Sequence, residues 1–343
     1  MTTLHTSPRH RTSLPHPQRG LSLLELLIAM TLGLLILGGV LFVYSSSSQS
    51  YRVADNTSRL QENARIAFQI LAQDIRMAGY MGCFGSVPNV ATQATPSPPF
   101  DINTVVVGEN GTNFTDGLSG TDAITIRRAS TNSVFLKGNM ASDNANIQVS
   151  SNPYGFKAED ILFISDCTSA DIFCATGVSS AASTVTITHA IAGSGTCGNK
   201  IPPKLSKIYG PDAQVMAFVQ NTYYIRPNPA GEPALYRIPW NGDALGSAEE
   251  LVEGIYDMQI TYGVDTVATD NATAATAYQD HATVTAGNNW PNVLSVRVTL
   301  SLRTLDDGVS TVSQTYTLDG VSVTDRRVRR NFNSTIAVRN RLP

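Results

Sequence analysis

The chain has 343 residues, of which 15% are charged and 42% hydrophobic, and a formal net charge of −3. Its length allows one large or two small domains once an N-terminal apolar segment is set aside. The weak negative charge argues against a general nucleic-acid partner. Sparse charge among many small polar residues is the texture of secreted β-rich proteins rather than of cytosolic helical enzymes.

The charge is unevenly placed. Residues 1–20 carry Arg9, Arg11 and Arg19 and no acid, a charge of +3 that leaves −6 for the remainder. They also hold Pro8, Pro15 and Pro17 and no apolar core, so they read as a leader and not as a complete secretory signal. Residues 21–44 then run apolar with a single ionisable acid, Glu25. At 1.5 Å rise per residue this stretch spans about 36 Å, enough to cross a bilayer. The basic flank on its N-terminal side places the leader in the cytoplasm and the rest outside. An ordinary cleavable signal is shorter and carries no acid at its fifth residue, although Ser45 to Ser48 offers small residues after the span. A plain membrane anchor is the bland alternative. An acid inside a span costs about 3 kcal/mol and marks a functional position by default.

The helical pattern continues past the span. Leu60, Ala64, Ala67 with Phe68, Leu71, Ile75 and Ala78 recur at i, i+3/i+4 spacing, while Asp55, Arg59, Glu62, Arg65, Asp74 and Arg76 supply a polar face. No proline interrupts residues 21–78, and Gly79 is a natural stop. One helix over that range is about 87 Å long. Gly33, Gly38 and Gly39 are its weak points, or sites of close helix approach in lipid.

Gly20-Leu21-Ser22-Leu23-Leu24-Glu25 resembles the processing signal of type IV pilins and type II secretion pseudopilins. The resemblance implies cleavage after Gly20 by a prepilin peptidase, N-methylation of Leu21, and Glu25 as the assembly carboxylate that meets a neighbouring subunit's N-terminal amine. Leu21 stands where the family usually has Phe, and Ser22 where it usually has Thr; both keep size class and polarity. The kinking proline of major pilins is also absent, with Phe42 at that place and the Gly38-Gly39 pair as a substitute source of flexibility. The expected fold class is α+β: a long N-terminal pilin helix, transmembrane over 21–44 and amphipathic over 45–79, packed on a β-rich globular region 80–343 of one or two subdomains.

After Gly79 apolar and polar residues alternate between turn residues. Residues 293–302 read VLSVRVTLSL, a half-buried strand. Further strands are expected at 102–107, 122–128, 160–166, 172–178, 183–189, 214–226, 234–238, 255–263 and 313–319, a short helix at 247–253, a linker at 86–100 and an exposed loop at 265–291. The tail 325–343 has six arginines against Asp325. Its alternation, with Val328, Phe332, Ile336, Val338 and Leu342 on one face, favours a final strand with a basic solvent face over a nucleic-acid site.

Cys83, Cys167, Cys174 and Cys197 all follow the span, and an even count outside the cytoplasm suggests two disulfides. Cys83–Cys167 with Cys174–Cys197 competes with Cys83–Cys197 with Cys167–Cys174. No catalytic or metal constellation is expected. Gly193 to Gly198 matches G-x-G-x-x-G without a following helix, His189 and His281 lack neighbours at ligand spacing, and Asp265, Asp270 and Asn271 are only a weak calcium candidate. No cofactor is implied.

Phrases such as Asp74-Ile75-Arg76-Met77-Ala78-Gly79-Tyr80, Asp160 to Cys167, Asp171-Ile172-Phe173, Leu251 to Gln259 and the arginine tail further resemble PilW-type minor pilins. That resemblance implies a structural subunit of a priming or tip complex, supporting pilus biogenesis, twitching and adhesion. Its partners would be the peptidase, other minor pilins, the major pilin, the inner-membrane assembly platform and a tip adhesin. The chain would sit in the inner membrane before joining the pilus. A J-type pseudopilin of type II secretion is the first alternative, and an adhesin or DNA-uptake module using the arginine tail the second.

Overall fold

The computed structural model describes residues 20, 22–82, 89–95, 104–181, 183–191, 197–240, 245–266 and 274–342. Two compact units are present, Met1–Arg52 and Val53–Pro343. The described part of the first is the apolar stem of helix α1, Leu23–Met77. This is the one helix among the described residues long and apolar enough to cross a membrane. The second unit contains the last turns of α1 and a β-rich body.

In that body α1 buries one stripe: Leu60, Ala64, Ala67, Leu71 and Ile75, with Ala78 just past the helix end, are all at most 4% exposed. The small alanines let the helix backbone approach closely, and Leu71 and Ile75 fill the space beneath. Their partners come from two sheets, with Val106, Ile124, Ile126 and Tyr223 from one and Met258, Ile260, Val296, Val298, Leu300 and Ile336 from the other. Gly79, at φ +73°, ends the helix and donates its N–H to Arg127 O at 2.9 Å.

The larger sheet has eight strands. Its spine is Gln214–Pro227, whose first residues pair with Ile161–Ser165 and whose last seven pair with Pro233–Pro239. Asp122–Phe135 runs along its other edge and is itself paired with Val106–Asn110. Ser169–Cys174 lies beyond Ile161–Ser165, and Asn89–Thr92 beyond that in the sheet's parallel pairing. Glu249–Glu253 closes the opposite edge. The second sheet is antiparallel and four-stranded, in the order Ala277–Gln279, Ile255–Val264, Val293–Arg303, Arg329–Ala337. A small sheet of Ile147–Val149, Thr184–Thr188 and Gly177–Ala181 covers a separate core around Leu162, Ile164, Phe173 and Val215.

Most strand expectations fall where these strands lie, and four require correction. Residues 247–253 are a strand over Glu249–Glu253, not a helix. A short isolated acidic segment nucleates a helix poorly, whereas pairing with Pro233–Pro239 buries Val252. The expected strand 172–178 is two, since the chain leaves one sheet after Cys174 and enters another at Gly177. The 86–100 linker contains the strands Asn89–Thr92 and Ala94–Thr95. The 265–291 loop contains Ala277–Gln279 and a short helix α2, His281–Ala286, capped by Asp280 accepting from Thr283 N–H, and it buries Val284 and Trp290. Those two apolar residues anchor a stretch whose composition reads as loop. Asp270 and Asn271 lie outside the described residues.

The seam between the sheets is held by Asp122. Its Oδ2 accepts the Ile260 N–H at 2.7 Å, and His281 Nε2 stands 3.8 Å from its Oδ1. Burial pushes the Asp122 carboxyl upward, with Asp257 and Asp280 adding to the effect and the Ile260 N–H and His281 opposing it. A carboxyl whose folded value is raised binds its proton more tightly in the fold, so its contribution to stability grows as pH falls toward the ordinary carboxylate range. Asp122→Asn is therefore expected to remove this carboxyl's contribution, so that the variant gains less thermal stability than the wild-type protein as pH falls toward the ordinary carboxylate range. Parallel slopes for the two proteins would contradict this.

Candidate assembly site and its mount

The head of α1 is built from Ser22 and Glu25. Ser22 Oγ accepts the Glu25 N–H at 3.1 Å, and Glu25 Oε2 accepts the Ser22 N–H at 3.5 Å. This is a reciprocal capping box, S-x-x-E, which satisfies two of the amides that a helix N-terminus leaves open. The pattern is legible in the sequence, yet the resemblance to a processing signal reads both residues for another purpose. Glu25 is exposed, as is every residue from Leu23 to Tyr44. A Cβ added at Gly20, Gly33, Gly38 or Gly39 would meet nothing within 4 Å, so nothing inside the chain requires glycine there. Leu21 lies outside the described residues.

The other end of α1 is clamped to the body by a buried carboxylate. Asp74 is 6% exposed. Its Oδ2 accepts the Tyr223 hydroxyl at 2.7 Å and the Asn221 side-chain amide, and its Oδ1 lies 3.2 Å from Arg128 Nη2. Burial, and then the Asp74 charge, push the Tyr223 hydroxyl well above its ordinary value, so it stays a donor at any physiological pH. Sequence periodicity places Asp74 on the polar face. Only the structure shows that it is an internal strut.

A second clamp gathers the C-terminal region. Glu232 Oε2 lies 2.8 Å from Arg303 Nη2, and its Oε1 lies 2.9 Å from Arg327 Nη2. Arg327 also donates to Thr304 O at 2.8 Å, Arg329 pairs with Asp325, and Arg341 donates to Trp290 O at 3.2 Å. The tail is thus a strand, but the solvent-facing row of arginines expected there is in part an internal ion-pair network.

Cys174 and Cys197 are bridged, with Cα atoms 6.0 Å apart. Cys167 is also disulfide-bonded, and Cys83 lies outside the described residues. Glu159 is close to both bridged sulfurs, which are already spent on each other. The Cys174–Cys197 bridge ties the Ser169–Cys174 strand to the Gly198–Asn199 segment across a separation of 23 residues. Removing it as a Cys174→Ala/Cys197→Ala pair is expected to lower stability by about 3 kcal/mol in calorimetry. No change in the transition would contradict that.

A membrane-length helix with a capped carboxylate at its head, clamped at its far end into an α+β body, defines a pilin-class protein. Comparison with family models supports that on both ends of the chain. Residues 15–41 match the prokaryotic N-terminal methylation motif, and residues 222–340 match Type IV Pilus-assembly protein W. The two matches support a PilW-type pilin associated with the type IV pilus, and the apolar helix is long enough for a membrane anchor. Residues between the two matches hold most of the eight-stranded sheet. Comparisons with curated proteins and with solved structures returned no match.

Proposed function

We propose that this chain is a minor pilin that takes part in priming type IV pilus assembly and in its tip complex, and so supports twitching and adhesion. The leader is removed after Gly20 by a prepilin peptidase, and Leu21 becomes the methylated N-terminus. Glu25 then sets the register against the N-terminal amine of a neighbouring subunit, since an acid in lipid is stabilised by a nearby ammonium. Before assembly the chain spans the inner membrane once with its N-terminus cytoplasmic. It then joins other minor pilins, the major pilin and the assembly platform, with a tip adhesin as a further partner. Its work is assembly, not catalysis.

The observation that carries this reading is the continuity of α1: the helix with Glu25 at its apolar head is the helix that Asp74 clamps into the body. Of the six tail arginines, Arg327 and Arg329 are occupied by Glu232 and Asp325, which weakens the competing DNA-uptake reading. The test is deletion of the gene followed by shearing of surface pili. Loss of pili and twitching, with the major pilin retained in the membrane, is expected. Intact pili with failed exoprotein secretion would instead indicate the pseudopilin role.

A further inference from the structure

The four-stranded sheet ends on a strand of unusual character for an edge. Arg329–Ala337 is nine residues long and pairs with Val293–Arg303 without a register shift. The even-numbered residues bond inward. Val338 N–H donates to Leu294 O at 2.8 Å, and Val328 O accepts from Thr304 N–H at 2.9 Å. Antiparallel alternation therefore turns the backbone groups of Asn331, Asn333, Thr335 and Ala337 to the other side. Those four residues are exposed, and among the described residues no strand pairs with them there.

Exposed edges are normally blunted by shortness, charge, proline, a bulge or a covering element. Three other edges of the two larger sheets show these devices. Ala277–Gln279 has three residues, and where it stops Asp122 takes the next outward amide, that of Ile260. Glu249–Glu253 carries three carboxylates and faces a register shift. Val106–Asn110 lies against α2. Arg329–Ala337 has no bulge, no proline and a long regular row of unpaired amides.

The geometry points to this edge as a strand-pairing surface for a different pilin-type subunit. The inference rests on the pilin reading above. The occupant must continue both faces of the sheet, with Phe332 and Ile336 toward the helix and Asn331, Asn333 and Thr335 toward solvent, so it is an extended strand of alternating apolar and polar residues. Arg330 and Arg339 stand exposed at the two ends without an ion pair among the described residues, which calls for carboxylates flanking the incoming strand. A second copy of this strand fits poorly. Residues 329–341 carry no carboxylate that could meet Arg330 or Arg339 of the facing strand.

Two measurements on the full-length protein test this. The first is amide exchange over residues 329–338, in the isolated detergent-solubilised chain and in complexes captured from solubilised membranes, with neighbours identified by mass spectrometry. The amides of 331, 333, 335 and 337 should exchange about tenfold or more slowly in the complex. The second is Asn333→Pro, which removes one outward N–H and no bond to Val293–Arg303. It should fold with its disulfides intact and lose about tenfold in capture of the neighbouring pilin. If that variant fails to fold, the exchange data decide. A pilin neighbour captured while these amides exchange as in the isolated chain would overturn the edge and leave the pilin reading standing. Protection in complexes containing only copies of this chain would overturn the choice of partner. Complexes with no chain bearing the methylation motif would overturn both.

Discussion

Asp74→Ala is expected to lower the stability of the body by about 3–5 kcal/mol, the cost of stranding a buried cation and two buried donors at once. The loss falls on Arg128, Tyr223 and Asn221, all of which lie on the two long strands under the end of α1. For a body of this size that is roughly 10 °C in the midpoint of unfolding. Asp74→Asn should cost less, because a carboxamide oxygen still accepts from Tyr223 and only the ion pair to Arg128 is lost. Calorimetry on both variants checks the ranking. Equal and small losses would mean that the apolar stripe alone holds the helix.

Glu25→Ala is expected to leave the chain inserted and processed but to reduce its incorporation into pili by roughly a hundredfold. That factor corresponds to about 3 kcal/mol for an intramembrane carboxylate and its partner. Glu25→Gln separates the capping role that the structure shows from the proposed assembly role. Glutamine can close the capping box with Ser22 as glutamate does, but it carries no charge. If the carboxylate acts through a neighbour's amine, Gln and Ala should fail alike. If its only task is to cap α1, Gln should assemble normally. Quantitative immunoblots of sheared pili against membranes distinguish the two outcomes.

Much of this organisation is legible in the residues alone. The stripe from Leu60 to Ala78 is regular because a helix lying on a sheet buries one face, and six of its seven apolar positions are buried, with Phe68 partly so. The strand at 293–303 is legible because one of its faces is wet. What escapes is decided by distant pairing. Glu249–Glu253 looks helical locally and is a strand because Pro233–Pro239 offers it an edge. Trp290 and Val284 turn an apparent loop into a packed corner. Asp74 and Arg327 look like surface charges, since nothing in their local spacing announces partners more than 50 residues away in sequence. At the head of α1 the residues Gly20 to Glu25 are legible because they resemble a processing signal, and residues 15–41 match the prokaryotic N-terminal methylation motif.

Whether this chain is a processed pilin subunit is decided by the mass of its N-terminal peptide, recovered from membranes and from sheared pili. The expected peptide begins at Leu21, carries one added methyl group on its amine, and is found in both fractions. A chain that keeps residues 1–20, or one cut beyond the apolar span so that Glu25 is lost, would contradict that reading.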